Sequence, residues 1–547
     1  MSIVDVKRHI HECLTEALSS LGLATNSVRL DPSKMSELGD ISSGVALSLA
    51  KSAKKPPMEL AEAIQSQLKL SEDICSAVTV SKPGFLNFRI TTGYLQNQLT
   101  EIVSESGNYG KSGSGKSQRA LVEFVSANPT GPLTVGHGRQ AVLGDVVAKI
   151  LEWNGYSVER EYYYNDAGRQ MRLLGESVRA RYLEIVGEKG GFPEGGYEGE
   201  YIREIAQKIY DEKGDTLKDE TEVTVFRDAA EKEIFADIRS TVEQLGIHFD
   251  SFVNEQRFYD EGSIDEVVSL LREKGLVYDK EGAVWLKTTE FGKEDDTVLI
   301  KSSGEPTYRL PDTAYHRDKV ERGYDLIVDI FGADHKDTYP DVIAAIGALG
   351  YKTDQIRVLI HQFVSLLRDG KKVKMSTRKA TFVTLDELME MVGVDVVRYF
   401  FIMRNRQSHL NFDIGLAEKE SDENPVYYLQ YAHARICNIL KYAEEMGTKS
   451  GGEPDLTLIK KDEELSLIKS LIHFPETVMN ALENLEPQTV AGYLQWTATE
   501  FHKFYSEHRV VTDDKELTTA RLFLVSAVRT VLANGLEILG ISQPEKM

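Results

Sequence analysis

Apolar side chains follow two different spacings within the first hundred residues. At 4–21, 45–52 and 57–68 they lie three and four positions apart, which predicts three helices. Short apolar runs at 77–80 and 85–90, joined by Lys-Pro-Gly, predict two strands and a tight turn. We therefore expect a small α+β domain at the start of the chain.

Short, almost continuous apolar runs recur through the middle of the chain. Such runs are typical of parallel strands buried on both faces of a sheet, and we expect them at 120–125, 299–301, 325–331 and 358–360. Residues 162–164 have the pattern of a strand that leads into a loop and a new helix. Residues 171–290 are charged and helical in spacing, so we expect an insertion there rather than a continuation of the sheet.

From about residue 396 the spacing is helical almost to the end, which predicts a helix bundle. The expected fold class is α/β: a parallel Rossmann-like nucleotide-binding sheet with insertions, a small α+β N-terminal domain and a C-terminal helix bundle. The expected boundaries are 1–103 for the first domain, 104–118 for a linker, 119–395 for the sheet domain (insertion about 171–290) and 396–547 for the bundle.

Composition narrows the class of protein. The chain has 64 Lys and Arg against 86 Asp and Glu, a formal net charge of −22, which argues against a nonspecific nucleic-acid binder but allows a local basic face for RNA. Cys13, Cys75 and Cys437 are too widely separated to suggest zinc or a disulfide framework. Residues 1–23 lack the apolar core of a signal peptide, and no run approaches the roughly 18 apolar residues of a membrane helix. We expect a cytoplasmic enzyme without a membrane span.

A strand, a turn and a helix follow one another at 119–139. Residues 128–132 read Asn-Pro-Thr-Gly-Pro, which is turn chemistry, and a helix is expected from Val135. This order places the helix N-terminus at the carboxyl end of a sheet, where backbone N–H groups favour phosphate and His137 would face the ligand. One side of that helix carries small residues, which would let a ligand lie close to its backbone: Gly136, Gly138, Ala141, Gly144 and Ala148. The alternative is a glycine-rich helix packed closely on the sheet, with His137 in the core.

The same residues carry a resemblance to a known family. Residues 134–137, Thr-Val-Gly-His, resemble the signature of class I aminoacyl-tRNA synthetases, and the longer form that begins at Asn128 is similar to arginyl-tRNA synthetases. The family pattern begins with a histidine where this chain has Thr134. The resemblance implies that Thr134, Gly136 and His137 bind ATP and that His137 takes part in catalysis.

A second basic element lies at 371–379, with five cations in nine residues. Such a loop suits closure on polyphosphate, where cations stabilise the charge that develops on leaving pyrophosphate. It resembles the Lys-Met-Ser-Lys-Ser loop of class I synthetases at Lys374, Met375 and Ser376, which the resemblance implies as ATP-binding, with Lys374 catalytic. Thr377 and Arg378 depart from that pattern. Taken alone, a short basic loop is more often a solvated turn.

The strand at 325–331 is followed directly by Asp334 and His335. Carboxyl ends of parallel strands hold ligands in such sheets, so Asp334 could accept hydrogen bonds from a ribose, and the equivalent loop of the family faces ATP. The alternative is that Asp334 caps a helix.

Selection of a guanidinium needs acceptors in fork geometry, often beside an aromatic ring. Glu123, Tyr308 and Asp312 supply those types, and residues 306–316 are similar to the arginine-binding segment of the family. The resemblance also assigns Asn128 to the amino or carboxylate end of arginine. A buried Glu123 needs a cation, and the alternative partner is one from this chain, such as Arg309.

Two further segments bear on nucleic acid. Residues 110–117 satisfy the phosphate-loop pattern G-x-x-x-x-G-K-[ST], but a helix precedes them and a strand follows, so we expect a flexible linker.

Tyr428, Tyr431 and Arg435 share one helix face suited to stacking RNA bases. They resemble the anticodon helix of the family, and the chain end at Met547 is similar too; the alternative is an aromatic core. Residues 1–103 resemble the N-terminal domain of the family, which recognises the outer corner of tRNA. The alternative is that this domain is a structural or dimerising module.

The resemblance spans essentially the whole chain. It implies ATP-dependent ligation of arginine to tRNA(Arg) through an arginyl-adenylate, with Mg²⁺ assisting and AMP and pyrophosphate released. The expected partners are tRNA(Arg), arginine and ATP, the expected state is a monomer, and no metal ligand is assigned. Two alternatives stay open: a class I synthetase of other specificity, and a noncatalytic tRNA-binding paralogue, which Thr134 motivates.

Overall fold

The computed structural model describes residues 2–24, 27–33, 37–188, 191–368, 370–373, 383–447 and 454–547. The N-terminal domain contains α1 (Ile3–Ser20), β1 (Asp31–Pro32), β2 (Ile41–Ser43), α2 (Val45–Ala53), α3 (Pro57–Gln67), β3 (Cys75–Ser81), β4 (Phe85–Ile90) and α4 (Thr92–Glu105). Its antiparallel sheet has the order β1-β2-β4-β3. The three helices and the β3–β4 hairpin expected from the spacing are confirmed, whereas β1 and β2 are too short to produce a periodic pattern.

The next region contains β5 (Arg119–Glu123), α5 (Val135–Trp153), β6 (Ser157–Tyr164), α6 (Gly168–Ile185), α7 (Glu200–Lys213), α8 (Thr224–Gln244), β7 (Ser251–Asn254), α9 (Gln256–Asp260), α10 (Ser263–Glu273), β8 (Val277–Lys280), β9 (Ala283–Leu286), β10 (Thr297–Ile300), α11 (Arg309–Glu321), β11 (Leu326–Gly332), α12 (Tyr339–Leu349) and β12 (Ile356–His361). Five of these strands form one parallel sheet in the order β12-β11-β5-β6-β7. The chain builds β5, β6 and β7 in one direction and then returns to place β11 and β12 on the other side of β5. The switch point of this doubly wound sheet therefore lies between β5 and β11, where such sheets bind ligands.

Two strands depart from the sequence expectation. The run at 299–301 was expected in the parallel sheet, but β10 pairs antiparallel with β9 in a separate three-stranded sheet; a short apolar run carries no information on strand direction. β7 lies inside the stretch expected to be a helical insertion, yet it pairs parallel with β6. Only Val253 of its four residues is buried, so β7 has no apolar run to reveal it.

The rest of the chain contains β13 (Val364–Arg368), β14 (Lys371–Lys372), α13 (Leu385–Val392), α14 (Val394–Ile402), β15 (Leu410–Asp413), α15 (Ile414–Ala417), α16 (Pro425–Glu445), α17 (Asp462–Ile472), α18 (Phe474–Asn484), α19 (Pro487–Glu507) and α20 (Lys515–Leu539). The last five helices form the expected bundle. By length and composition α20 alone of the described helices could cross a membrane, but 67% of its apolar window is buried in the protein. Its apolar character is that of a core helix.

The helical bundle contacts both other domains. Lys7 on α1 pairs with Glu476 on α18 at 2.6 Å, and Gln96 on α4 donates to the Ile459 carbonyl at 2.8 Å. Arg398 on α14 is fully buried, binds Asp145 on α5 and donates to the carbonyl of Leu539, the last residue of α20. The bonds of Arg398 connect α5 to α14 and α20.

The segment at 110–117 packs against the end of α5. The Gly115 N–H donates to the Asn154 carbonyl at 2.9 Å, and the Ser112 hydroxyl donates to Asn154 Oδ1 at 2.6 Å. α4 precedes this segment and β5 follows it, which confirms that its context is not that of a phosphate loop.

Candidate functional site

All five parallel strands end at one edge of the sheet, and we call the group of polar residues at these ends, together with those of α11 beside them, the recess. Glu123 ends β5, and Asn165 follows the end of β6. Glu255 follows the last residue of β7, the loop with Asp334 follows β11, and His361 ends β12. The recess lies at the switch point, with the N-terminus of α5 beside it.

His137 lies in the first turn of α5 and is held by the backbone of Thr134. Its Nδ1 accepts the Thr134 N–H at 3.2 Å, which leaves the proton of a neutral ring on Nε2. Burial lowers the pKa of His137 to about 4, and the Asp334 carboxylate opposes that shift. At neutral pH the ring is therefore an uncharged donor, of the kind that can stabilise negative charge on a ligand without itself carrying charge.

The glycines of α5 serve two different purposes. A Cβ on Gly138 would lie 2.6 Å from a Leu385 methyl group, and one on Gly144 would lie 2.1 Å from the Phe124 ring. Those two positions allow close packing of α5 against its neighbours. At Gly136 the nearest atom to such a Cβ is Thr134 Oγ1 at 3.6 Å, so Gly136 is the one of these three with space beside it.

Asp334 and His335 lie at the outer rim of the recess. Their side chains are 68% and 49% exposed, and Asp334 Oδ2 lies 3.7 Å from His335 Nε2. Asp334 lies within the short 3₁₀ turn 333–335 and Gly332 occupies the cap position, so Asp334 does not cap that turn. His361 lies deeper; burial lowers its pKa to about 4, and its Nε2 makes no hydrogen bond with the described residues.

Lys374, Met375 and Ser376 lie outside the described residues. The chain that leads to them is the short hairpin β13–β14, which ends in the exposed Lys371 and Lys372.

Tyr308 and Asp312 lie one helical turn apart at the start of α11. The Tyr308 ring is 73% exposed, whereas Asp312 is half-buried. Burial raises the pKa of Asp312 to about 6, and the His316 charge is the largest effect that opposes it. The Asp312 carboxylate forms no ion pair among the residues that the structure describes. Within the part of the chain that the structure describes, it is therefore a recessed acceptor without a cation.

Glu123 is buried, and its cation is Lys319 rather than Arg309. Lys319 is fully buried on α11, contacts Glu123 and lies 2.6 Å from Asp329 Oδ1 on β11. Asp329 Oδ2 is in turn 3.1 Å from His316 Nε2. Burial opposes ionisation of Asp329, but Lys319 and His316 hold the pKa of its carboxyl well below the usual range. Arg309 instead pairs with Asp341 at 2.7 Å.

Glu255 is a member of the recess that the sequence analysis missed. Its side chain accepts the Tyr163 hydroxyl at 2.8 Å and Asn165 Nδ2 at 2.6 Å. The Asn165 N–H donates to Asn128 Oδ1 at 3.0 Å, so Glu255 is linked through Asn165 to Asn128. The only sequence signal is an acidic residue that directly follows β7, and β7 itself lacks a recognisable pattern.

A second concave surface lies in the helical bundle, between α16 and the end of α19. This groove has a volume of about 750 Å³, and its lining includes Tyr431, Arg435, Tyr505 and Met547. The Arg435 guanidinium lies 4.9 Å from the Tyr431 ring centre and 4.7 Å from the Tyr505 ring centre. Tyr428 does not line the groove; its ring packs against His502 with centroids 4.6 Å apart.

Three protein-family models match successive parts of this chain. The arginyl-tRNA synthetase N-terminal domain matches residues 8–90, the catalytic domain of class I (R) tRNA synthetases matches 98–410, and the DALR anticodon-binding domain matches 429–547. The recess lies within the second match and the groove within the third.

Relatives of similar length match almost from end to end. An arginine–tRNA ligase from Desulfotalea psychrophila is 51% identical over 511 residues, which cover 93% of each chain. One from Salinibacter ruber is 48% identical over 562 aligned positions, which cover 99% of this chain and all of the relative. Among solved structures, Thermus thermophilus arginyl-tRNA synthetase superposes with a TM-score of 0.78 at 23% identity, over 99% of this chain and 100% of the other, which shows a shared fold.

Proposed function

The chain belongs to the arginyl-tRNA synthetase family, and from that premise we propose that it joins L-arginine to tRNA(Arg) in two ATP-dependent steps. The observation that carries the proposal is the combination found at one sheet edge. A helix N-terminus with a neutral histidine donor, suited to phosphate, lies beside the Asp312 carboxylate, which pairs with no cation among the described residues and is suited to a guanidinium.

Arginine would occupy the recess with its guanidinium toward Asp312. A planar cation with five donors fits a carboxylate that pairs with none of the described cations, and the exposed Tyr308 ring one turn earlier can close over it. Glu123, which already pairs with Lys319, would accept a hydrogen bond from the ligand. Asn128 would hold the amino or carboxylate end of the amino acid.

ATP would lie across the N-terminus of α5. Thr134 and Gly136 would leave room for its phosphates, the His137 Nε2–H would donate to them, and Asp334 and His335 at the rim would meet the ribose. The basic segment with Lys374, Met375 and Ser376 would close over the phosphates. No three His, Cys, Asp or Glu side chains cluster as a metal site in the described ranges, so we propose that Mg²⁺ arrives on the ATP phosphates rather than in a protein cage.

The first step is attack by the arginine carboxylate oxygen on the α-phosphorus of ATP. The bond from that phosphorus to the bridging oxygen breaks, pyrophosphate leaves, and arginyl-adenylate forms. His137 and Lys374 stabilise the charge that moves onto pyrophosphate, and no covalent enzyme nucleophile is required. In the second step a hydroxyl of the terminal tRNA ribose attacks the arginyl carbonyl and AMP leaves.

The groove in the helical bundle would hold anticodon bases. Tyr431 and Arg435 present a ring and a guanidinium plane, which are the surfaces on which unpaired RNA bases stack. Met547 adds an apolar contact at the same groove, whereas Tyr428 would support Tyr431 from behind. We propose that the enzyme acts as a monomer in the cytoplasm.

The test is charging of a total tRNA pool with each of the twenty amino acids, in the presence of ATP and Mg²⁺. We expect arginine alone to become attached to tRNA. Attachment of a different amino acid would identify another class I specificity. No attachment from a folded protein that binds tRNA would overturn the enzymatic proposal in favour of a noncatalytic tRNA-binding protein.

A further inference from the structure

The segment that follows β5 leaves the sheet in a sharp turn. β5 pairs with β6 as far as Glu123, which lies opposite Glu161. Val125 and Ser126 then have φ values of 67° and 44°, in the left-handed region. That region is unfavourable for a β-branched residue such as Val125, and residues persist in it only where the surrounding structure fixes the backbone. The neighbours of this segment therefore have to hold it in place.

Residues of β6 hold the segment through hydrogen bonds. Ser126 Oγ accepts the Tyr163 N–H at 3.1 Å. The Tyr162 hydroxyl donates to the Ala127 carbonyl at 2.8 Å and accepts the Ala127 N–H at 3.1 Å. One hydroxyl thus binds both backbone groups of a single residue, and that residue directly precedes Asn128.

The Tyr162 side chain is a rigid support for these two bonds. It is fully buried, and its ring packs against Phe235, Phe249 and Phe252 with centroids 5.9, 5.3 and 5.4 Å away. Burial raises the pKa of Tyr162 far above its usual range, so the hydroxyl keeps the proton that it donates to the Ala127 carbonyl.

Asn128 is linked to β6 and the loop after it at two points. Its Oδ1 accepts the Asn165 N–H at 3.0 Å, and its main chain continues from Ala127, which Tyr162 holds. The first link orients the side-chain amide, and the second sets the point from which that side chain starts. Placement matters because a shift of about 1 Å at a binding group can cost about a hundredfold in rate.

We propose that Tyr162 is a positioning residue of the amino-acid site: its hydroxyl holds the strained segment after β5 at Ala127 and thereby places Asn128 for the amino or carboxylate end of the substrate. This inference rests on the proposed function, because it assumes that Asn128 faces arginine. Tyr162 acts through Asn128 and not by touching the ligand.

The chain offers a matched control in Tyr182 on α6. This side chain is also fully buried, and its hydroxyl donates to the Gly214 carbonyl at 2.6 Å and accepts the Leu217 N–H at 3.2 Å. Its ring packs against Phe226 with centroids 5.3 Å apart. Tyr182→Phe therefore removes the same two kinds of bond as Tyr162→Phe, but from backbone groups within the insertion. A difference between the two variants reports on where the hydroxyl lies, because the loss of a buried hydroxyl is common to both.

The experiment measures steady-state charging of tRNA with arginine, ATP and tRNA varied in turn. We expect Tyr162→Phe to raise the KM for arginine about tenfold and to leave the KM values for ATP and tRNA within about twofold of the wild type. Tyr182→Phe should leave all three within about twofold. A purely structural role would lower the fraction of active enzyme, which reduces kcat and leaves each KM unchanged. An equal KM for arginine in the two variants would therefore overturn the inference.

A double-mutant cycle with Asn128→Ala tests the route of the effect. If Tyr162 acts by placing Asn128, removal of the Asn128 amide leaves nothing for Tyr162 to position. Adding Tyr162→Phe to Asn128→Ala should then raise the KM for arginine by less than about twofold. Independent residues have additive effects in free energy, so effects on KM that multiply would contradict the inference.

Thermal melts of both tyrosine variants accompany the kinetics. If Tyr162→Phe does not fold, amide hydrogen exchange of the wild-type protein decides. Slow exchange at residues 124–128 before arginine is added supports the hold on this segment, whereas exchange as fast as that of an unfolded peptide contradicts it.

The wild-type protein separates this inference from the proposed function. If it charges tRNA with arginine while Tyr162→Phe keeps the KM of the wild type for arginine, only the role of Tyr162 is overturned. If the wild-type protein attaches no arginine to tRNA, the proposed function itself is overturned.

Discussion

The recess in the sheet domain and the groove in the helical bundle have opposite physical designs. In the recess, charged groups are buried and fixed: Lys319 and Asp329 are fully buried, and Glu255 is 6% exposed. In the groove, the ring of Tyr442 is 52% exposed, and Arg435 lies over two rings and forms no ion pair with any described residue. The recess holds charged groups in fixed positions away from water, whereas the groove presents flat rings to solvent.

This difference matches the two ligands we propose. A small cation with fixed geometry is selected best by buried acceptors, because electrostatic interactions are stronger there than in water. Unpaired bases are bound by stacking, which needs accessible rings and tolerates small displacements. Substitutions in the recess should therefore have larger effects than substitutions in the groove, and each region should affect its own ligand.

The largest effect is expected for Lys319→Met. This change leaves Glu123 and Asp329 buried without their cation, so the free energy of unfolding should fall by about 3–5 kcal/mol. Urea denaturation measures it. The control is Lys301→Met, whose partner Glu305 is 3.7 Å away on the exposed surface, and a change of less than about 0.5 kcal/mol is expected there. Equal stability of the two variants would show that the buried network is not structurally important.

Asp312→Asn should have the next largest effect, on arginine rather than on stability. Loss of the carboxylate charge should weaken transition-state binding of arginine by about 3 kcal/mol, so that kcat/KM for arginine falls roughly a hundredfold. Steady-state charging kinetics at saturating tRNA provide the measurement. Asp260→Asn, at the end of α9, is the control. An unchanged KM for arginine in Asp312→Asn would contradict the assignment of the recess to a guanidinium.

Part of this arrangement was accessible from the sequence. The order of strand, turn and small-residue helix at 119–139 predicted β5 and α5, and the pattern after residue 396 predicted the bundle. The partner of Glu123 was not predictable, because Lys319 lies 196 residues away and only the pairing of β5 with β11 and the packing of α11 bring the two together.

Other features depend on interactions that no local pattern records. Strand direction separates β10 from the parallel sheet, and the pairing of β7 with β6 brings Glu255 to the recess. On α16, helical spacing places Tyr428 and Tyr431 on one face. Both rings contact His502, with centroids 4.6 and 6.1 Å away, but Tyr431 lines the groove and Tyr428 does not.

Arg435→Gln should have a moderate effect that is confined to tRNA. It removes the cation that lies over Tyr431 and Tyr505, so the KM for tRNA should rise by about tenfold, within the range of one lost stacking contact. Tyr428→Phe is the control, because it keeps the ring that packs on His502. Charging kinetics with tRNA as the varied substrate distinguish them, and equal effects of the two substitutions would argue against the groove as the RNA site.

Thr134→His should have the smallest effect. The backbone N–H of Thr134 donates to His137 Nδ1 at 3.2 Å, and Thr134 Oγ1 lies 3.4 Å from the same nitrogen. A histidine at position 134 keeps the shorter, backbone bond. Charging activity should therefore stay within about threefold of the wild type. A rise from no activity to measurable activity would indicate instead that threonine at this position marks a decayed enzyme.

The most direct test of the account is a pair of KM values measured on Asp312→Asn and Arg435→Gln. The account predicts that Asp312→Asn raises the KM for arginine more than about tenfold with little change in the KM for tRNA, and that Arg435→Gln does the reverse. Either substitution raising both KM values to the same extent would contradict the separation of arginine and tRNA recognition between the recess and the groove.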